Sequence, residues 1–165
     1  MTGKSPRIAL IHATALAMAP IESAFERHWP QARRTDLLDD SLSADLAEEG
    51  ELTPAMVQRF VDLAGYAKRT ACSGILFTCT AFGRAIEAVG AAVGLPTLKP
   101  NEAMFEEALA RSPAAGARLG LIATFEASVA SMAAAQPVVQ AELTSPVLSS
   151  PQCAVLARKK RMKHD

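Results

Sequence analysis

Arg7-Ile-Ala-Leu-Ile-His12 is a short apolar run with polar flanks and no helical period, the pattern of a buried strand. Pro20 to Trp29 reads as a helix with proline near its first turn. Arg33 to Leu38 reads as a second strand, and the acidic stretch Asp39 to Gly50 as a surface loop or short helix. Thr53-Pro54 opens a long helix, the threonine as cap and the proline at the first helical position. Met56, Phe60, Leu63 and Ala67 recur at spacings of three and four and predict its buried face. Gly74-Ile-Leu-Phe-Thr-Cys79 is another buried strand, followed by a helix from Ala81 to Val93 with Gly94 as its stop signal. Pro96 to Lys99 predicts a short strand and Asn101 to Arg111 a helix. Strand and helix alternate, and the strands are continuous apolar runs. This predicts an α/β fold, a parallel sheet flanked by helices. Ligands of such sheets bind beyond the carboxyl ends of the strands, which singles out His12 to Thr14, Cys79 to Ala81 and Lys99 to Glu102.

The remainder of the chain repeats part of this pattern. Arg118-Leu-Gly-Leu-Ile-Ala-Thr-Phe125 is similar to Arg7-Ile-Ala-Leu-Ile-His-Ala-Thr14, and the segment around Pro146 is similar to that around Pro96. The second pair lies much closer to the first pair's copy than a clean duplication allows, so the second copy reads as shortened. Residues 1–112 are then a first α/β half carrying Cys79, and residues 113–165 a shortened second half. Between its anchors, Glu126 to Leu143 reads as one Ala-rich helix. The bland alternative is chance likeness between apolar strands.

Composition narrows the partners. Half of the 165 residues are hydrophobic but only 5% are aromatic, so the core must rest on Ala, Leu, Val and Ile. Seventeen basic residues balance seventeen acidic ones. That balance points to a small metabolite, with no nucleic acid and no membrane as partner. The basic run Arg158 to Lys163 reads as a solvated helix end. Three cysteines, with no C-x-x-C and scattered histidines, argue against a disulfide framework or a metal site and fit a cytoplasmic location. No run approaches the roughly 20 apolar residues of a membrane span.

Cys79 carries the candidate chemistry. A thiol at a strand end, just before a helix, faces N–H groups and the positive end of the helix dipole, which lowers its pKa. The same N–H groups can hold a carboxylate. The competing reading is a buried structural cysteine, as is common for this residue, and it is preferred for Cys72 and Cys153. Thr14 and Thr80 offer hydroxyls to a carboxylate, or serve as turn and cap residues. His12 reads as a proton donor or orienting partner, or as a satisfied histidine at a strand end. Asn101 and Glu102 open a helix, where capping and dipole matching account for Glu102.

Ile8-Ala-Leu-Ile-His-Ala-Thr14, Ile75-Leu-Phe-Thr-Cys-Thr-Ala-Phe-Gly83 and Pro96-Thr-Leu-Lys-Pro-Asn-Glu-Ala-Met104 together resemble the aspartate/glutamate/hydantoin racemase superfamily, which includes arylmalonate decarboxylase and maleate isomerase. The resemblance implies a flavodoxin-like half followed by an incomplete pseudo-symmetric second half, with the active site between them. It implies a cofactor-independent isomerase acting at the α-carbon of an amino acid or similar small carboxylate. It places Cys79 as the family's first catalytic cysteine and His12 where glutamate racemases carry an Asp that assists the thiol. Thr14, Thr80, Ala81 and Asn101 become substrate-binding candidates. Glutamate racemases follow that cysteine with Asn-Thr-Ala, whereas Thr80 follows Cys79 directly, which points away from glutamate itself. The family's second cysteine would fall in the part the second half lacks, so a one-cysteine decarboxylase or isomerase, or a non-catalytic binding remnant, are the alternatives. The sheet surface that a shortened second half leaves uncovered leads to the expectation of a homodimer.

Overall fold

The computed structural model describes residues 5–111, 132, 141–144 and 156–159. The chain divides into two compact units, Met1–Pro100 and Asn101–Asp165. In the first unit, four strands, β1 (Arg7–His12), β2 (Arg33–Leu38), β3 (Gly74–Phe77) and β4 (Thr97–Leu98), form one sheet in the order β2-β1-β3-β4. Every pairing is parallel, with Ala9 opposite Thr35 and Ile75, and Ile11 opposite Leu37 and Phe77. The α/β parallel sheet expected from the alternating pattern is therefore what forms. The helices of this unit are α1 (Met18–His28), α2 (Ser41–Glu49), α3 (Pro54–Arg69) and α4 (Gly83–Val93).

Register divides the sheet into two faces. Paired residues of parallel strands share a face, so Ala9, Ile11, Ile75 and Phe77 lie together. Against them α3 presents Phe60, whose ring centroid is 5.4 Å from that of Phe77 and 4.8 Å from that of Phe82. These three rings, fully buried with Ile11, Ile75 and Val89, are the core. Three of the chain's eight aromatic residues thus meet where α3 and α4 cover the sheet. The other face carries Leu10, His12, Asp36, Leu38 and Leu76. There Arg34 donates to the Glu22 carbonyl at 3.2 Å and stacks over Phe25 of α1.

Local signals explain the helix limits. The Thr53 hydroxyl accepts from the Met56 N–H at 3.3 Å and Pro54 fills the first position of α3. Gly50 and Gly94 close α2 and α4 at φ of 73° and 62°, a left-handed backbone that glycine adopts without a Cβ clash. Of the two readings of the acidic stretch after Leu38, the short helix forms, as α2, with Leu42 and Leu46 buried. One expectation shifts. On α3 the buried face is Met56, Phe60, Ala64 and Ala67, whereas Leu63 is only half-buried. Ala64 continues the Met56 and Phe60 row at a spacing of four, so Leu63 falls beside the buried face.

An Arg59 clasp binds α2 to α3. Its guanidinium donates to Asp39 at 2.6 and 3.2 Å, and also to Asp45 and the Ser41 hydroxyl. Burial works against the Asp39 carboxylate, but hydrogen bonds from Ser41 and Arg59 outweigh it and hold the group below the ordinary carboxylate range. A folded pKa below the unfolded one contributes stability at neutral pH that is lost as the pH falls through the folded value. Between about pH 5 and pH 2, Arg59→Met is therefore expected to flatten the fall of Tm. Parallel melting curves of the two proteins across that range would show the clasp to be without effect.

In the second unit, α5 spans Glu102–Arg111, and β5 (Ala141–Thr144) pairs antiparallel with β6 (Leu156–Lys159). The helix expected over Glu126–Leu143 therefore does not reach its predicted end. Pro137, followed by Val138 and Val139, is the sequence signal against it, because proline ends helices and β-branched residues favour strands. The basic run expected at a helix end begins instead in strand β6, which includes Arg158 and Lys159. The proposed repeat at Arg118–Phe125 and Cys153 lie outside the described residues. No helix among the described residues is long and apolar enough to cross a membrane.

Candidate functional site

The chain leaves β1 toward β2 on one side and returns to build β3 and β4 on the other. The direction of strand order therefore switches between β1 and β3. At such a switch the loops leaving two neighbouring strands diverge and open a crevice at their carboxyl ends, where ligands of doubly wound sheets bind. Ala13 and Thr14 leave β1 at this point, and Thr78, Cys79, Thr80 and Ala81 leave β3. Three further contacts fix the edge. Thr78 N–H donates to the Ile11 carbonyl at 3.1 Å, Asp39 N–H to that of His12 at 3.0 Å, and the Ser43 hydroxyl to that of Ala13 at 2.7 Å.

Cys79 has extended backbone (φ −117°, ψ 126°) and precedes a 3-10 turn, Thr80–Phe82, that leads into α4. The helical stretch begins at Thr80, one residue before the expected Ala81, and as a tight turn, with α4 itself starting at Gly83. Phe82 is fully buried against Phe60 and pins the turn to the core. Cys79, Thr80 and Ala81 are half-buried at the rim. Burial pushes the Cys79 thiol up, and a hydrogen bond from the Ala81 backbone N–H only partly opposes it. The expected lowering of its pKa is thereby corrected: desolvation of the thiolate outweighs one N–H donor at the turn. Alkylation of Cys79 by iodoacetamide, followed by peptide mass spectrometry, is expected to be slower at neutral pH in the folded protein than in urea. It should accelerate as the pH rises past about 8.5, the ordinary thiol value. Fast alkylation at pH 7 would mean that the turn's N–H groups win.

Thr14 is half-buried, and its hydroxyl accepts from the Leu16 N–H at 3.4 Å as the cap of a short turn, Ala15–Ala17. His12 is fully buried on the α1 face of the sheet. Its Nδ1 lies 2.8 Å from Thr78 Oγ1 and its Nε2 3.1 Å from Asp36 Oδ1. Both ring nitrogens are thus engaged behind the strand ends. Lys99 pairs with Glu87 at 2.8 Å. Asn101 opens the second unit, where its carbonyl accepts from the Phe105 N–H at 3.0 Å. Cys72 is buried at the opposite end of β3, just before Gly74, in keeping with a structural role.

The carboxyl edge of the first unit therefore brings together Thr14, Cys79, Thr80 and Ala81, with His12 directly beneath. The partners of His12, Asp36 and Thr78, escaped the sequence reading. An Asp inside a strand two positions before its end was the available signal, because such a residue shares a face with the neighbouring strand's polar terminus. A shallow groove lined by Val61, Gly65, Lys68 and Val93 lies at the C-terminal ends of α3 and α4, the opposite edge of the sheet. Among the described residues no group of three or more His, Cys, Asp or Glu side chains is placed to hold a metal ion. No family model matches the chain, and no curated protein matches it.

Proposed function

We propose that the chain is a cofactor-independent racemase- or isomerase-type enzyme that acts at the α-carbon of an amino acid or similar small carboxylate, with Cys79 as its acid/base group. The observation that carries this reading is a half-buried thiol at the switch point between β1 and β3, just before the turn that leads into α4. Proton transfer at carbon needs an acid or base held in a partly dry site within reach of the substrate. The rim hydroxyls of Thr14 and Thr80 and the N–H groups of the 3-10 turn are the groups offered to a substrate carboxylate. Proton exchange at the α-carbon in heavy water, compared between the native protein and Cys79→Ser, tests it.

One observation favours a second reading within the same superfamily. Burial keeps the Cys79 thiol protonated at neutral pH. Cys72, the other free cysteine among the described residues, sits at the far end of β3. A single protonated thiol suits a one-cysteine decarboxylase, in which loss of CO2 leaves the carbanion and Cys79 delivers its proton to it.

A further inference from the structure

His12 is fully buried, and its environment is polar on both sides of the ring. On one side Asp36, whose side chain is 45% exposed, opens to solvent along the edge strand β2. On the other, Thr78 is half-buried at the carboxyl end of β3, one residue before Cys79. The three side chains come from three adjacent strands. Asp36 lies opposite Leu10 in the register, and His12 opposite Leu38, so both project from the same sheet face. Arg34, the other charged group on that face of β2, is directed to Glu22 and Glu26 of α1 at 4.0 and 3.9 Å.

We propose that Asp36, His12 and Thr78 form a proton relay that links solvent at the β2 edge to the carboxyl edge of the sheet beside Cys79. The proposal rests on the reading of Cys79 as an acid/base group for its purpose, but its geometry stands on the three side chains alone. An ionised Asp36 accepts only, so Nε2 carries the proton it shares with that carboxylate. The neutral imidazole then accepts at Nδ1, and the Thr78 hydroxyl donates there at 2.8 Å in preference to the Ile11 carbonyl at 3.4 Å. Stability alone does not call for this arrangement. An apolar side chain at position 12 would fill the site with no polar group to desolvate.

The steps balance. Outward, the Thr78 oxygen takes a proton from a water at the carboxyl edge as its own passes to Nδ1. The Nε2 proton passes to the Asp36 carboxylate and from there to water. Inward, each transfer reverses. Nothing is oxidised or reduced. An isomerisation consumes no net proton, so outward and inward passages alternate and the imidazole returns to its starting tautomer. In this scheme Asp36 is a positioning residue: it sets the tautomer and opens the buried ring to solvent.

The test is the ring NMR signals of His12 in the full ¹⁵N-labelled chain, with no substrate present. In the native protein the proton is expected on Nε2 and is expected to exchange with heavy water well before the slowest core amides do. Asp36→Leu removes the carboxylate that takes the Nε2 proton and passes it to water, so ring-proton exchange should slow by roughly tenfold or more. Thr78→Val should leave the proton on Nε2. An unchanged exchange rate in Asp36→Leu would overturn the relay. So would a native ring proton as protected as the core amides, a result that needs no variant to fold. The failure of Cys79 as an acid/base group would appear separately, as α-proton exchange that survives Cys79→Ser.

Discussion

Replacing Cys79 by serine is expected to lower α-proton exchange by roughly 10²–10⁴-fold, the range supplied by one positioned acid or base. Serine keeps the shape and the Ala81 N–H contact, but its hydroxyl is a far weaker acid than a thiol and a poor match for proton transfer to and from carbon. The measurement is deuterium entry at the α-carbon, followed by NMR, for a panel of amino acids, hydantoins and malonate half-acids. Deuteration without inversion, lost in the variant, would identify a single thiol working from one side. Deuteration with inversion would require a second base. Deuteration that persists in Cys79→Ser, with circular dichroism showing both proteins folded, would remove Cys79 from the chemistry. Exchange on no member of the panel would turn the reading toward a binding role.

The largest effect on stability is expected at Phe60. Its ring is 1% exposed and touches both Phe77 on the sheet and Phe82 on the turn that follows Cys79. Phe60→Ala removes the centre of that cluster and leaves a cavity, at a cost of about 3–5 kcal/mol. Against a total of roughly 5–15 kcal/mol for an ordinary domain, that loss consumes much of the margin. Urea unfolding should show the midpoint falling with little change in slope. Phe60→Leu, which keeps most of the volume, should lose distinctly less. Because Phe82 holds the turn in place, the alanine variant should also expose Cys79, and its alkylation at neutral pH should accelerate along with the loss of stability. A midpoint within about 1 kcal/mol of the native value would show that the three rings are not the core of the unit.

The two effects reach the same turn by different routes. Cys79 would act through proton transfer, Phe60 through the rigidity of the surface that presents the thiol. The clasp of Arg59 on Asp39 and Asp45, with Ser43 bound to the Ala13 carbonyl, steadies the other side of the same edge. The candidate site is thus framed by α2 and its clasp on one flank and by the aromatic cluster on the other.

What the chain's own pattern determined is the succession of elements in the first hundred residues. Arg7–His12 and Arg33–Leu38 form strands over the bounds the pattern predicts, and Thr53-Pro54 opens α3 as expected. These signals are local: apolar runs, cap hydroxyls, prolines and glycines act within a few residues, so they can be read without knowing what packs against them. The position of Cys79 in the exit from a strand was legible for the same reason, although β3 ends at Phe77, two residues before the expected end. Tertiary structure decided the rest. Strand order, and with it the switch point between β1 and β3, depends on pairings between segments tens of residues apart. The choice of Ala64 over Leu63 for the buried face of α3 depends on how that helix is rotated against what it covers. The direction of the Cys79 shift turned on how much water the fold excludes from the thiol, which no spacing rule conveys. The contacts of His12 with Asp36 and Thr78 arise from the register of three strands, because only the folded sheet sets side chains from all three on one face.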